Sequence, residues 1–499
     1  MKNFNLWMLV VILSCGLLTT SCTSEDNPVT PVDPTLSKSI DKFRDVPGNA
    51  GDPEVVKALK SIKNVEDLKP FMNVYLGQCY YFNYNQLVDH NDPSKGTYKQ
   101  QVVLTFVGKD APTILHTQGY SLTNEADPND IQNRLDSIKA PHFLWALSKD
   151  NGKDKKFDVN CVQVEYRYNG FSLPEGDTDS FLYLTAEQQS KDLHAIVTDL
   201  KKALITGSGK WLSTGLSKNG DASTQYAYFD ELNGWNDIDV YVPFASPIPI
   251  QENDIRIGTY MLTQSSKEAL PALEKAYKKL VDDQAVADAT IEAYAKKGGK
   301  FKKDSALLST AEAVLENLFQ LQSYTDYNTW TKLIPKEGDK PETYAKFFML
   351  TPLSPEVEYK AGTRGPLHKR RTPYEVQNAM EQGGAGYDYS WFLDGKLLSE
   401  SDKKYFKDLI EKSKKSKTME LQVNVQKNLE TTKKKLIFVY GEDDPWTGAA
   451  IPDPTNPNVK KYIVPHGTHT DDFKIYARYP GGQEVADKIM ADVKAILFP

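Results

Sequence analysis

At 499 residues the chain has room for one large domain with an elaboration, or for two domains. Its apolar and charged fractions, 40% and 25%, are ordinary for a soluble globular protein. The formal charge of −7 is spread along the chain and argues against a nucleic-acid partner, so lysine-rich stretches such as 412–417 read as solvated helix faces.

Met1-Lys2-Asn3 precedes an apolar run over 6–18 and then Thr19-Thr20-Ser21-Cys22. The run is too short to span a bilayer but suits a secretory signal. Small residues before Cys22 predict a lipoprotein-type signal over 1–21, cleavage before Cys22 and lipid on its thiol, although Thr19 stands where an aliphatic residue is usual. Cys15 is an alternative acceptor, and an ordinary signal with a secreted product is the alternative reading. A lipid chain would anchor the protein to the cell envelope without spanning it. Ser24-Glu25-Asp26 resembles the signal some Gram-negative lipoproteins use to reach the outer surface, so the outer membrane is the expected site. Residues 22–37, rich in Pro, Ser, Thr and Asp, form an extended tether.

From about residue 76 strands and helices alternate. Residues 79–84, 101–106, 113–117 and 161–166 read as strands, the last two apolar enough to be covered on both faces. A helix over 185–204 follows, with Thr185 and Gln188 placed as a capping box and Leu193, Ile196, Val197 and Leu200 in one stripe. Strands at 210–215 and 239–244 flank a helix at 222–229. This rhythm predicts right-handed crossovers and a mostly parallel sheet. From about 267 to 416 only helical periodicity appears. Strands return at 436–440 and 461–465, and an amphipathic helix at 483–497 closes the chain. We therefore expect an α/β core in two parts, 38–250 and 431–499, divided by a mainly helical cap over 251–430. Cys79 and Cys161 could form a disulfide or remain buried thiols. No Cys/His spacing suggests a metal site, and no cofactor is expected.

Three chemical candidates fall at the carboxyl ends of predicted strands. Ser217 lies in Gly215-Leu216-Ser217-Lys218-Asn219-Gly220, a strand-to-helix turn whose second glycine comes one residue later than in Gly-x-Ser-x-Gly. Asp444 lies in Gly441-Glu442-Asp443-Asp444-Pro445-Trp446, with Asp443 as the neighbouring alternative. His469 lies in His466-Gly467-Thr468-His469, with His466 as its alternative. The order Ser…Asp…His is that of α/β-hydrolases, in which the histidine takes the serine's proton and the acid orients the imidazole. Backbone N–H groups of Lys218 and of the loop around Gly119-Tyr120 are placed to hold an oxyanion. His90, His116, His142, His194 and His368 read as structural or exposed. Gly207-Ser208-Gly209-Lys210 fails as a phosphate loop, because Leu204 stands where its first glycine belongs.

These segments resemble a family. Gly-x-Ser-Lys-x-Gly after a Lys-Trp strand, Tyr-Gly-x-x-Asp-Pro-Trp and Gly-x-His are similar to the secreted bacterial tripeptidyl and prolyl tri/tetrapeptidyl aminopeptidases of peptidase family S37. Thr117-Gln118-Gly119-Tyr120 and 164–168 followed by Ser172-x-Pro174 add to the likeness, which runs from about residue 76 to the C-terminus. The resemblance implies an α/β-hydrolase with a helical cap that removes tri- or tetrapeptides from free N-termini, often after proline. It implies Ser217 as nucleophile, Asp444 as acid and His469 as base. Asn219 departs from the family's glycine after the lysine, and His466 from its small residue. Glu165 is a candidate partner for the substrate's α-ammonium, against a purely structural ion pair with Arg167. An esterase, a carboxyl-end prolyl peptidase or a catalytically silent peptide-binding lipoprotein are the alternatives.

Overall fold

The computed structural model describes residues 50–499 apart from 74, 120, 121, 123–134, 136, 137, 139, 140, 149–156, 175–180, 302–304, 352, 354–376 and 472. The expected signal, tether and Cys22, together with Tyr120 and His368, lie outside the described residues.

The strands in chain order are β1 (Val65–Asn73), β2 (Gly77–Leu87), β3 (Thr97–Thr105), β4 (Thr113–Thr117), β5 (Asn160–Val164), β6 (Trp211–Leu216) and β7 (Val240–Phe244), then the two-residue β8 (Asn253–Asp254) and β9 (Gly384–Ala385), and finally β10 (Leu436–Gly441) and β11 (Val459–Val464). Nine of them form one sheet in the order β1-β2-β3-β5-β4-β6-β7-β10-β11, while β8 and β9 pair with each other. The β1–β2–β3–β5 ladders are antiparallel, and every pairing from β5 through β11 is parallel. Parallel strands need both faces covered, which is why β4, β5, β7 and β10 are buried along their whole length.

Alternation along each strand sends neighbours to opposite faces. Phe438 and Tyr440 join Leu115, Val162 and Tyr241 under the helix Ala186–Ala203, whose Leu193, Ile196, Val197 and Leu200 are buried there. Ile437 and Val439 join Ile114, Cys161 and Val242 on the other face, against Ile489 and Val493 of the helix Gly482–Leu497. Between β7 and β10 the chain is chiefly helical, with a core of its own that includes Ile257, Leu273, Tyr277, Leu318 and Phe392. A mostly parallel sheet interrupted by a helical excursion, with a strand-to-helix turn after β6, is the α/β-hydrolase fold.

Several elements escape the sequence pattern, among them the short helix His142–Leu147 and the two-residue β9, which lies in a stretch read as wholly helical; two others lie near the start of the described residues. The first is the helix Pro53–Ser61, although Asp52 as N-cap with Pro53 at N1 is a readable start signal. The second is β1, an edge strand whose side chains are mostly half-exposed. Its Glu66, Asp67, Lys69 and Pro70 blur any alternation, and charges and proline are what keep such an edge from pairing with another chain. Cys79 and Cys161 are free and buried, and burial pushes the Cys79 thiol up to about 12.

Candidate active site

Parallel pairing puts the carboxyl ends of β4, β6, β7, β10 and β11 on one rim of the sheet. The register pairs Leu216 with Phe244 and Gly441 with Val464, so the loops that follow leave from neighbouring positions. Ser217 begins the turn after β6. Its φ of 58° and ψ of −127° lie where residues with a Cβ are strained, and its N–H donates to the Phe244 carbonyl at 2.9 Å. The helix Lys218–Asn233 starts at the next residue. A Cβ on Gly215 would stand 2.3 Å from the Asn219 carbonyl oxygen, and one on Gly220 would stand 2.7 Å from that of Phe244. The late second glycine is therefore the residue on which the helix approaches β7.

After β10, Asp443 N–H donates to the Gly467 carbonyl at 3.0 Å and ties the two C-terminal loops together. Asp444 then caps the short turn Pro445–Ala449, accepting from Trp446 N–H at 3.0 Å on Oδ1. Its Oδ2 lies 2.7 Å from His469 Nδ1, and His469 Nε2 lies 2.8 Å from Ser217 Oγ. Asp444 and His469 are buried while Ser217 is half-exposed. With a carboxylate on Nδ1, the neutral ring carries its proton there, leaving Nε2 to accept from the serine hydroxyl. Such a relay can withdraw a proton from the oxygen as it attacks a carbonyl and return it to a leaving group. Residues of the cap and of the acid loop together hold His469 in place. His469 N–H donates to the Ser323 carbonyl at 2.8 Å, and the Tyr324 and Trp446 rings lie 5.7 and 5.9 Å from the imidazole. A backbone carbonyl carries no sequence signature, so the contribution of Ser323 could not be read from the chain.

The alternative acid and base pair with each other. His466 Nδ1 lies 3.2 Å from Asp443 Oδ2, and its ring stacks on Tyr327 at 4.4 Å. Asp443 also accepts from Ser266 N–H at 2.8 Å, so this pair fastens the acid loop to the cap. Burial raises the Asp443 carboxyl to about 6, against the lowering effect of His466. Because the folded pKa lies above the ordinary 3.8, the native state holds the extra proton between about pH 4 and 6. Stability from this group is full below pH 4 and lost as pH rises through 6, by at most about 3 kcal/mol. Melting curves across pH 3.5–7 should show Asp443→Asn gaining on the native protein through that window, whereas parallel curves would refute the assignment.

Glu165 is not available to a substrate amine. It is fully buried, and its oxygens accept from Leu122 N–H at 2.8 Å, Phe171 N–H and Ser172 N–H at 3.0 Å, and Ser172 Oγ at 2.7 Å. Those donors already hold the carboxylate as a loop clamp, which corrects the expectation drawn from its place after β5. It does not pair with Arg167 either, for that guanidinium binds Asp192. Lys218 opens the helix beside Ser217, which places its backbone N–H at a helix N-terminus. The Lys218 ammonium lies over the Tyr166 ring at 4.9 Å, and Tyr166 in turn receives a 2.6 Å hydrogen bond from Gln377 of the cap. Gly119, unlike Tyr120, is described, and its N–H is bonded to Asn219 Oδ1. His90 pairs with Asp192, His116 with Gln118 and His194 with Asp237, all as structural side chains. Among the described residues no group of three or more His, Cys, Asp or Glu could hold a metal ion.

The model of one family, described as PS-10 peptidase S37, matches residues 148–453. The prolyl tri/tetrapeptidyl aminopeptidase of Streptomyces mobaraensis is 25% identical over 420 residues, which is 83% of this chain and 77% of that protein. Among solved structures, a putative hydrolase from Legionella pneumophila aligns at 14% identity and a TM-score of 0.37, over 88% of this chain and 94% of its own. A rice cell wall degrading esterase from Xanthomonas oryzae aligns at 12% and 0.33, over 84% and 89%.

Proposed function

This chain belongs to the PS-10 peptidase S37 family, and we propose that it is an exported exopeptidase that releases tri- and tetrapeptides, including those ending in proline, from free N-termini. It is a serine peptidase of the α/β-hydrolase type. The observation that carries the chemistry of this reading is the unbroken hydrogen-bond path from Asp444 through His469 to Ser217. In this reading Ser217 Oγ attacks the scissile carbonyl while His469 Nε2 takes its proton. Asp444 fixes the ring tautomer and stabilises the imidazolium. The carbonyl oxygen becomes an oxyanion received by backbone N–H groups, with Lys218 and Tyr120 as the assigned donors. As the tetrahedral carbon re-forms its carbonyl, the C–N bond breaks and the proton passes to the departing amine. A water then repeats the sequence on the acyl-enzyme and frees the short peptide. Preference for short N-terminal pieces is supported by the name of the Streptomyces mobaraensis relative and by the cap's closeness to His469, whose backbone N–H meets the Ser323 carbonyl and whose ring meets that of Tyr324.

The test is a fluorogenic panel of tri- and tetrapeptides with free and acetylated N-termini, beside simple acyl esters. A desolvated ammonium–carboxylate pair is worth about 2–5 kcal/mol, so acetylation should lower kcat/KM by about 30- to 4,000-fold. Equal cleavage of blocked peptides, or cleavage of esters alone, would replace the exopeptidase reading with an endopeptidase or esterase. No turnover of any member would favour a peptide-binding protein. Export rests on the N-terminal sequence, with Cys22 as the lipid-bearing residue. Cys22→Ser should move the protein from the membrane to the soluble envelope fraction with turnover unchanged, and unaltered membrane retention would remove the anchor.

A further inference from the structure

The turn that presents Ser217 is tied to the end of β4 and the loop after it through one residue. Asn219, the second residue of the helix Lys218–Asn233, accepts from Gly119 N–H on Oδ1 and donates from Nδ2 to Gln118 Oε1 at 3.2 Å. Its carbonyl accepts from Thr117 Oγ1 at 2.6 Å, and Thr117 also bonds the Thr214 carbonyl at 3.1 Å. Gln118 is braced from the other side, since its Nε2 lies 3.1 Å from His116 Nδ1. The backbones close up accordingly. A Cβ on Gly119 would meet Asn219 Oδ1 and Lys218 Cγ at 2.7 Å and the Lys218 carbonyl carbon at 2.9 Å. Three consecutive residues, Thr117 at the end of β4 and Gln118 and Gly119 in the loop after it, are thus held by a single residue two positions past the serine.

We propose that Asn219 is a positioning residue that sets the gap between the Ser217 turn and the β4 loop, the gap in which the reacting carbonyl oxygen becomes an oxyanion. This deepens the peptidase reading and rests on Ser217 as nucleophile. Gly119 N–H is spent on Asn219 Oδ1 and does not serve the oxyanion. A glycine at 219 leaves Gly119 N–H and Gln118 Oε1 without these partners and lets the two walls drift. Misplacement by about 1 Å costs on the order of 10²-fold in rate. The loss should fall on the transition state, because a bound substrate does not yet carry the negative charge that the gap accommodates.

The test uses the full chain with Asn219→Gly and Asn219→Ala, the second keeping a Cβ and a helix-compatible backbone. Serine titration with a fluorophosphonate normalises the rates to active sites. Both variants should lose about 10- to 100-fold in kcat with KM within about twofold. A peptide boronate, which forms a tetrahedral adduct on the serine, should weaken by a similar factor while the product peptide binds as before. A merely structural role would lower thermal stability or the active fraction without separating boronate from product. Native kcat in both variants, a loss confined to Asn219→Gly, or equal weakening of boronate and product would overturn the inference. Ser217→Ala is run alongside. Should it retain turnover, the nucleophile assignment itself fails; should it be inactive while the Asn219 variants behave as the native protein, this inference alone fails.

Discussion

Turnover of a free-amine tripeptide substrate should fall by about 10⁶ when Ser217 becomes alanine, with substrate affinity little changed. The hydroxyl sits 2.8 Å from His469 Nε2, and in the proposed mechanism its removal deletes the attacking atom. His469→Ala should cost about as much, and the double variant no more, because the two residues act as one unit. Asp444→Asn keeps the shape of the turn capped at residue 444 but loses the carboxylate facing Nδ1, and should lower kcat by about 10⁴. His466→Ala and Asp443→Asn should by contrast retain turnover to within about tenfold, since that pair touches each other and the cap and not the serine. Steady-state kinetics after active-site titration decide the matter. A Ser217→Ala protein with several per cent of native kcat would remove Ser217 as nucleophile. A His466→Ala loss matching that of His469→Ala would reopen the identity of the base.

The largest expected effect on stability lies behind the site. Arg167 and Asp192 are fully buried, joined by two hydrogen bonds of 2.8 Å from Nε and Nη2. Burial alone would raise the Asp192 carboxyl, but the Arg167 guanidinium, with His90, holds it below the usual carboxylate range. His90 Nε2 at 2.8 Å, Tyr98 OH at 2.9 Å and Gln100 Nε2 at 3.4 Å complete its shell. Arg167 spends its remaining donors on the carbonyls of Leu87, Val88 and Tyr183. One ion cluster therefore binds the end of β2, the segment after β5 and the helix Ala186–Ala203. Asp192→Leu or Arg167→Met each strands a buried charge or its donors and should lower unfolding free energy by about 3–5 kcal/mol. The paired apolar replacement Arg167→Met with Asp192→Leu should cost less than the sum of the two single changes. Urea unfolding followed by tryptophan fluorescence measures all three. Additive losses, or single variants within about 0.5 kcal/mol of the native protein, would show that the cluster is not coupled.

The residues themselves determined a good deal. A serine, an acid and a histidine each stood just past an apolar run with strand character, in the order used by α/β-hydrolases. Such runs must be buried on both faces, and that requirement makes them parallel neighbours with their loops on one rim. The helical stretch between the two halves was legible from its 3.6-residue period. Other decisions belonged to the tertiary structure alone. Asp443 and Asp444 are adjacent and chemically alike, yet one faces His466 and the cap while the other faces His469, because successive side chains point apart and only the docking of two distant loops selects between them. Glu165 looked available until the folded chain surrounded it with four donors. The tie from Asn219 to Gly119 spans 100 residues of sequence, and no local pattern encodes which amide a side chain that far away will meet. Periodicity is a property of a segment and survives in one dimension. Partner choice is a property of two surfaces brought together, and it exists only once the chain has folded.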